Sequence, residues 1–77
     1  MFPNPANKTL TISIAQFDLE KDYLFKAWAM NGTLIAEIKL IKDHDYTIAI
    51  NEWSSGIYLC EVSADGEVLF TDKLIKE

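Results

Sequence analysis

Tyr23-Leu24-Phe25-Lys26-Ala27-Trp28-Ala29-Met30-Asn31-Gly32-Thr33-Leu34-Ile35-Ala36-Glu37-Ile38-Lys39-Leu40-Ile41 is the stretch whose patterning decides the fold. In its second half Leu34, Ala36, Ile38 and Leu40 fall on every second position. Successive side chains of a strand point to opposite faces, so this spacing predicts a strand over 34–41 with those four facing inward. The first half, 23–29, carries Phe25-Ala27-Ala29 on one face and Leu24-Lys26-Trp28 on the other. Both faces are partly apolar, which predicts a strand covered on both sides. Asn31-Gly32 between the two halves is the strongest short hairpin signal, because both residues tolerate positive φ in a tight turn.

The same period extends outward. Thr9-Leu10-Thr11-Ile12-Ser13-Ile14 alternates, with Leu10, Ile12 and Ile14 on one face and the hydroxyls on the other. Residues 15–22 form a polar connection, and Lys42-Asp43-His44-Asp45 a polar turn before Tyr46-Thr47-Ile48-Ala49-Ile50. Gly56 opens a strand through Ser63, and Asp65-Gly66 turns it back into a strand from Glu67 to Ile75. The three glycines sit at predicted strand boundaries, where backbone freedom is useful. No window carries apolar residues at helical spacing between caps, and β-branched and aromatic residues dominate the apolar positions. Turn signals every eight to twelve residues or so read as an antiparallel sandwich or small barrel. The expected fold is all-β, an immunoglobulin-like antiparallel β-sandwich of six to seven short strands. Residues 1–8, with two prolines, form an opening segment without regular structure, and 9–77 a single sandwich domain.

Composition narrows the function. A chain of 77 residues makes one domain near the lower size limit, burying only about 60% of its unfolded surface. At 49% hydrophobic and 25% charged it is too apolar to be disordered and too interrupted by charge to span a membrane. No basic-then-apolar leader opens it. Seven lysines, no arginine and a net charge of −5 argue against a nucleic-acid partner.

Chemistry-bearing residues are sparse. Cys60, the single cysteine, lies in an apolar run and reads as a buried, inert thiol. Asp43-His44-Asp45 could belong to a metal site or dyad, but zinc needs three or four ligands, and one histidine with a distant cysteine falls short; a solvated turn is expected. Asp18, Glu20 and Asp22 have a calcium-like spacing without the glycine and closing glutamate of the usual loop, so an exposed acidic loop is expected. Neither a phosphate loop nor a serine-nucleophile motif occurs. Asn7-Lys8-Thr9 and Asn31-Gly32-Thr33 match the glycosylation sequon, a triplet common by chance. Trp28 and Trp53 are expected at the core or its edge, and would suggest a sugar platform only if both were exposed on one face. Tyr58 should point inward with its hydroxyl on a backbone partner. The reading is of a non-enzyme without metal or cofactor.

Four separated features complete the pattern: Phe2-Pro3-Asn4-Pro5-Ala6 before the first strand, Met30-Asn31-Gly32-Thr33-Leu34-Ile35 at the hairpin, Ile50-Asn51-Glu52-Trp53-Ser54-Ser55-Gly56-Ile57-Tyr58, and Lys73-Leu74-Ile75-Lys76 at the end. In this order and spacing they resemble the C-terminal sorting domain of the type IX (Por) secretion system of Bacteroidetes. That family shows an aromatic-Pro-Asn-Pro start, an Asp/Asn-x-x-Gly-like turn, a Leu-Pro-x-Gly-x-Tyr stretch and a basic-aliphatic final strand. Trp53-Ser54 stands where Leu-Pro is usual, and Thr33 where lysine or glutamine is frequent. The positions that match are Pro3, Asn4, Pro5, Gly32, Gly56, Tyr58, Lys73, Leu74, Ile75 and Lys76. Met1, just before the aromatic, is expected to be an added initiator on a domain taken from a longer protein.

The resemblance implies a delivery role without catalysis. A cargo crosses the inner membrane on its own N-terminal signal. The folded domain then directs it from the periplasm through the outer-membrane translocon, and a sortase cuts upstream of the Pro-Asn-Pro segment. The cargo ends secreted or on the outer-membrane surface. A tag needs a reproducible shape more than a reactive group. The last strand, if at a sheet edge, would offer its backbone to a receptor strand, with Lys73-Leu74-Ile75-Lys76 in the recognition surface. Deleting the last five residues should then abolish export without unfolding the domain. A homodimer through an edge strand also fits. The rival reading is an accessory immunoglobulin-like or fibronectin-like module, structural, adhesive or carbohydrate-binding.

Overall fold

The computed structural model describes residues 8–14, 18, 20–40 and 45–77. Pro3, Asn4, Pro5 and His44 lie outside them. Six strands form among the described residues: β1 (Thr9–Ser13), β2 (Tyr23–Ala29), β3 (Leu34–Leu40), β4 (Asp45–Ala49), β5 (Gly56–Ala64) and β6 (Glu67–Lys76). The expected strands are present, with ends shifted by about one residue. All pairings are antiparallel. β1 and β4 make a two-stranded sheet, and the other four make a second sheet in the order β3-β2-β5-β6. The shortest extent of the molecule, 16 Å, suits two layers about 10 Å apart. The fold is an antiparallel two-layer β-sandwich.

Alternation builds the core. Leu10 and Ile12 from β1, with Ile14 just beyond it and Ile48 and Ile50 from the β4 region, face Phe25 and Ala27 of β2, Tyr58, Cys60, Val62 and Ala64 of β5, and Leu74 of β6. Each large aliphatic or aromatic side chain so enclosed contributes about 1.5–3 kcal/mol. On β2, Tyr23, Phe25 and Ala27 are buried, whereas Leu24, Lys26 and Trp28 are half-buried. The second apolar face is therefore shielded by neighbouring strands rather than covered as expected: β2 lies inside the sheet, and its outward side chains lean on those of β3 and β5.

Two register breaks correct the simple alternation. Ala27 pairs with Ala36 but Trp28 pairs with Leu34, so Ile35 is an extra residue on β3. A one-residue bulge flips every side chain beyond it to the other face. Ala36, Ile38 and Leu40 face inward as expected, but Leu34 points outward beside Trp28 and is 47% exposed. The second break makes Leu69 the extra residue on β6, between the pairs Val62–Phe70 and Ser63–Val68.

The turns also differ in kind. At Asp65-Gly66 both residues have positive φ, 50° and 83°, the geometry of a tight two-residue hairpin. At Asn31-Gly32 only Gly32 does (φ 90°). Gly32 N–H donates to Ala29 O and Ala29 N–H to Thr33 O, both at 2.9 Å, and Asn31 Oδ1 accepts from Thr33 N–H at 3.0 Å. This is a three-residue loop, a type I turn closed by a left-handed glycine, so Asn31 serves through its side chain rather than through positive φ.

Candidate recognition surface

Residues 50–58 fold back on themselves. Trp53 N–H donates to Ile50 O at 2.9 Å, closing a turn. The Trp53 ring rests on Tyr58 with centroids 5.0 Å apart, tilted by 50°. Tyr58 is buried and its hydroxyl donates to Ser54 O at 2.5 Å, the backbone partner its position called for. Gly56 enters β5 with φ 151° and open space where a Cβ would stand, so backbone conformation rather than crowding favours glycine there. Gly56 and Tyr58 thus position the start of β5, against which the last strand is laid. Trp53 packs against the core while Trp28 lies on the outer face of the larger sheet, so the two tryptophans form no common platform.

The final strand divides by parity. Tyr58 pairs with Leu74 on the inward face; Leu59 with Lys73 and Ile57 with Ile75 on the outward one. Leu74 is fully buried, and Lys76 is only 7% exposed, its Nζ donating to Glu77 O at 2.8 Å. Lys73 and Ile75 are exposed, and β6 is the outer strand of the sheet order. Among the described residues the last strand therefore has a place at the sheet edge. Lys73 N–H donates to Asp72 Oδ1 at 2.9 Å.

Sequence reasoning missed what surrounds these two residues. Trp28 stands opposite both Leu34 and Leu59, and Ile57 opposite Ile75, all on the outer face. Leu34, Leu59, Ile57 and Ile75 are each more than 40% exposed. One end of this face is apolar with Lys73 at its border. The other end is charged: Lys26 lies 3.6 Å from Glu37 and Lys39 3.9 Å from Asp22, and Asp22, Lys26, Lys39 and Glu61 line an open groove of about 450 Å³. The signal was available in principle, since Ile57, Leu59 and Ile75 alternate with the inward-facing Tyr58, Cys60 and Leu74, but only the pairing places them side by side.

Asp18 and Cys60 have surroundings of a structural kind. Asp18 Oδ1 accepts from Glu20 N–H at 2.9 Å, and Asp18 N–H donates to the Tyr23 hydroxyl at 2.8 Å. The Asp18 carboxylate therefore closes its own turn. Among the described residues no three His, Cys, Asp or Glu side chains converge on a metal position. Cys60 is buried, and its thiol is pushed up to about 12 by burial and, secondarily, by the Asp72 carboxylate. Such a thiol is a poor nucleophile.

Over residues 1–77 the chain matches the family model described as "Secretion system C-terminal sorting domain". The chain belongs to this family. Searches of curated proteins and of solved structures return no match. Sorting domains of this kind are signals for type IX secretion, working with that machinery to bring a larger protein to the cell surface or medium, and the family is not known as catalytic. No helix among the described residues is long and apolar enough to cross a membrane.

Proposed function

We propose that this sorting domain is read through the outward face of β6 and its apolar neighbours, with Lys73 and Ile75 contacting the outer-membrane translocon while Leu74 and Lys76 hold the strand in place. The supporting observation is the parity of the last strand: the first two side chains stand outside, the second two inside. An exposed apolar cluster bordered by one cation gives a partner a site to dehydrate and a charge to orient it. Gly32, Gly56 and Tyr58 act through the turns and the strand start they fix. Pro3, Asn4 and Pro5 mark the approach to a sortase cut made after passage from the periplasm.

Truncating the last five residues cannot separate recognition from folding, because it removes Leu74 from the core. Substitution can. The chain is fused to a periplasmic reporter and expressed with and without the type IX apparatus. Export is expected only with it, and to fall at least tenfold for Lys73→Glu combined with Ile75→Asp, while the melting temperature of the isolated domain is kept. Equal export in both strains would remove the sorting reading. Undiminished export of the double variant would remove the proposed surface alone.

A further inference from the structure

We propose that β3 is a pairing edge for a second copy of this chain, joining the two four-stranded sheets antiparallel about a two-fold axis through Ile38. Among the described residues the sheet order gives β3 a neighbour, β2, on one side only. The bulge at Ile35 ends regular geometry at the hairpin end, so the regular described stretch is 36–40, and Ile38 is its midpoint.

Charge selects that midpoint. Glu37 and Lys39 flank Ile38, both on the outer face and both at least half exposed. An axis through Ile38 sets Glu37 opposite Lys39 of the second copy and, by symmetry, Lys39 opposite its Glu37. An axis through residue 37 would set Glu37 opposite itself, and one through residue 39 would set Lys39 opposite itself. Opposite charges directly across a strand pair attract and like charges repel, so the neighbouring registers are disfavoured. Charged edges normally discourage pairing; here they discourage the two axes adjacent to the one through Ile38.

The rest of the sheet continues the pattern. Glu61 of β5 lies opposite Lys26 of β2, and Lys26 opposite Glu37 of β3. Lys39 of the second copy would be the fourth member of this row of alternating sign. On the inner face Ala36 would meet Leu40 and Ile38 would meet Ile38. Ala36 and Ile38 pack on the core but remain half-buried, and the second copy would cover them. The occupant is a second copy rather than an unrelated strand because the pattern is complementary to itself under two-fold rotation. A five-residue edge buries well below the ~800 Å² per partner of a standard stable interface, so the dimer is weak and concentration-dependent.

The inference is independent of the export reading and is tested on the purified chain. Sedimentation equilibrium between ~10 µM and ~1 mM should show the mass rising from 8.8 kDa toward twice that value. Glu37→Lys and Lys39→Glu, each checked for fold by circular dichroism, should each weaken dimerisation about tenfold, and the two together should restore it to within about twofold. In the unmodified chain, amide-exchange protection should rise with concentration at residues 36–40. A single-chain mass throughout, indifference to the charge reversals, or protection that rises on β6 instead would overturn it.

Discussion

Phe25 and Tyr58 show how single side chains set this domain's stability. Phe25 is fully enclosed between the sheets on the central strand, with no polar group to satisfy. Replacing it by alanine should cost about 3–5 kcal/mol, a large part of the stability of so small a domain, and be visible as loss of the cooperative urea transition. Tyr58→Phe keeps the ring on Trp53 and removes only the bond to Ser54 O. It should cost about 1 kcal/mol, and the aromatic environment seen by near-ultraviolet dichroism should persist. The inward place of Tyr58 was legible in the sequence, since it shares parity with Cys60 and Val62. The opposed fates of Lys73 and Lys76 were not read from their common chemistry, although parity separates them: Lys73 shares phase with exposed Ile75, and Lys76 with buried Leu74.

At the level of elements, strands were legible because alternation is a local property, and bulges were not because they belong to a pair. Nothing in Leu34-Ile35-Ala36 announces that Ile35 has no opposite number. The extra residue follows from a three-residue loop that closes on a left-handed glycine and must then be reconciled with Trp28. The outward turn of Leu34, which adds it to the apolar cluster of Trp28, Ile57, Leu59 and Ile75, comes from that mismatch. The second turn makes the converse point. Asp65 reads as half of a tight turn, and it also extends the β2–β5 ladder by one pair, clasping the residue just before β2: its Oδ1 accepts from Asp22 N–H and its N–H donates to Asp22 O, both at 2.9 Å. Asp65→Ala should lose the carboxylate half of that clasp, keep the backbone half, and strain the φ of 50°, at about 1–2 kcal/mol in chemical denaturation. Asp65→Asn keeps both the acceptor and the tolerance of positive φ and should cost less than about 0.5 kcal/mol.

For the molecule as a whole, Cys60 reports on whether the two layers open together. It lies on β5, inside the larger sheet, facing the smaller one, with Ala27 and Asp72 on either side. Access to its sulfur requires the layers to separate, not merely a terminus to fray. Labelling by a thiol reagent at pH 8 should therefore be slow in native buffer and should accelerate with urea along the same curve as the loss of β-sheet dichroism. Labelling that runs well ahead of that curve would mean that the small β1–β4 layer detaches before the rest. The same thiol gives a pH signature whose sign is fixed by linkage. Its ordinary value is 9.0 and the folded domain raises it to about 12, so between these the folded state holds a proton that the unfolded chain has released. Stability must then fall as pH rises above about 9, with a slope of up to about 1.4 kcal/mol per pH unit, and be unaffected by this group below that point. Cys60→Ala should abolish that part of the decline, so the difference between the two chains' urea midpoints should change with pH only on the alkaline side. A difference that stayed flat to pH 11 would mean that the sulfur is reached by solvent in the folded domain, and that the packed interface between the layers is looser than its buried side chains imply.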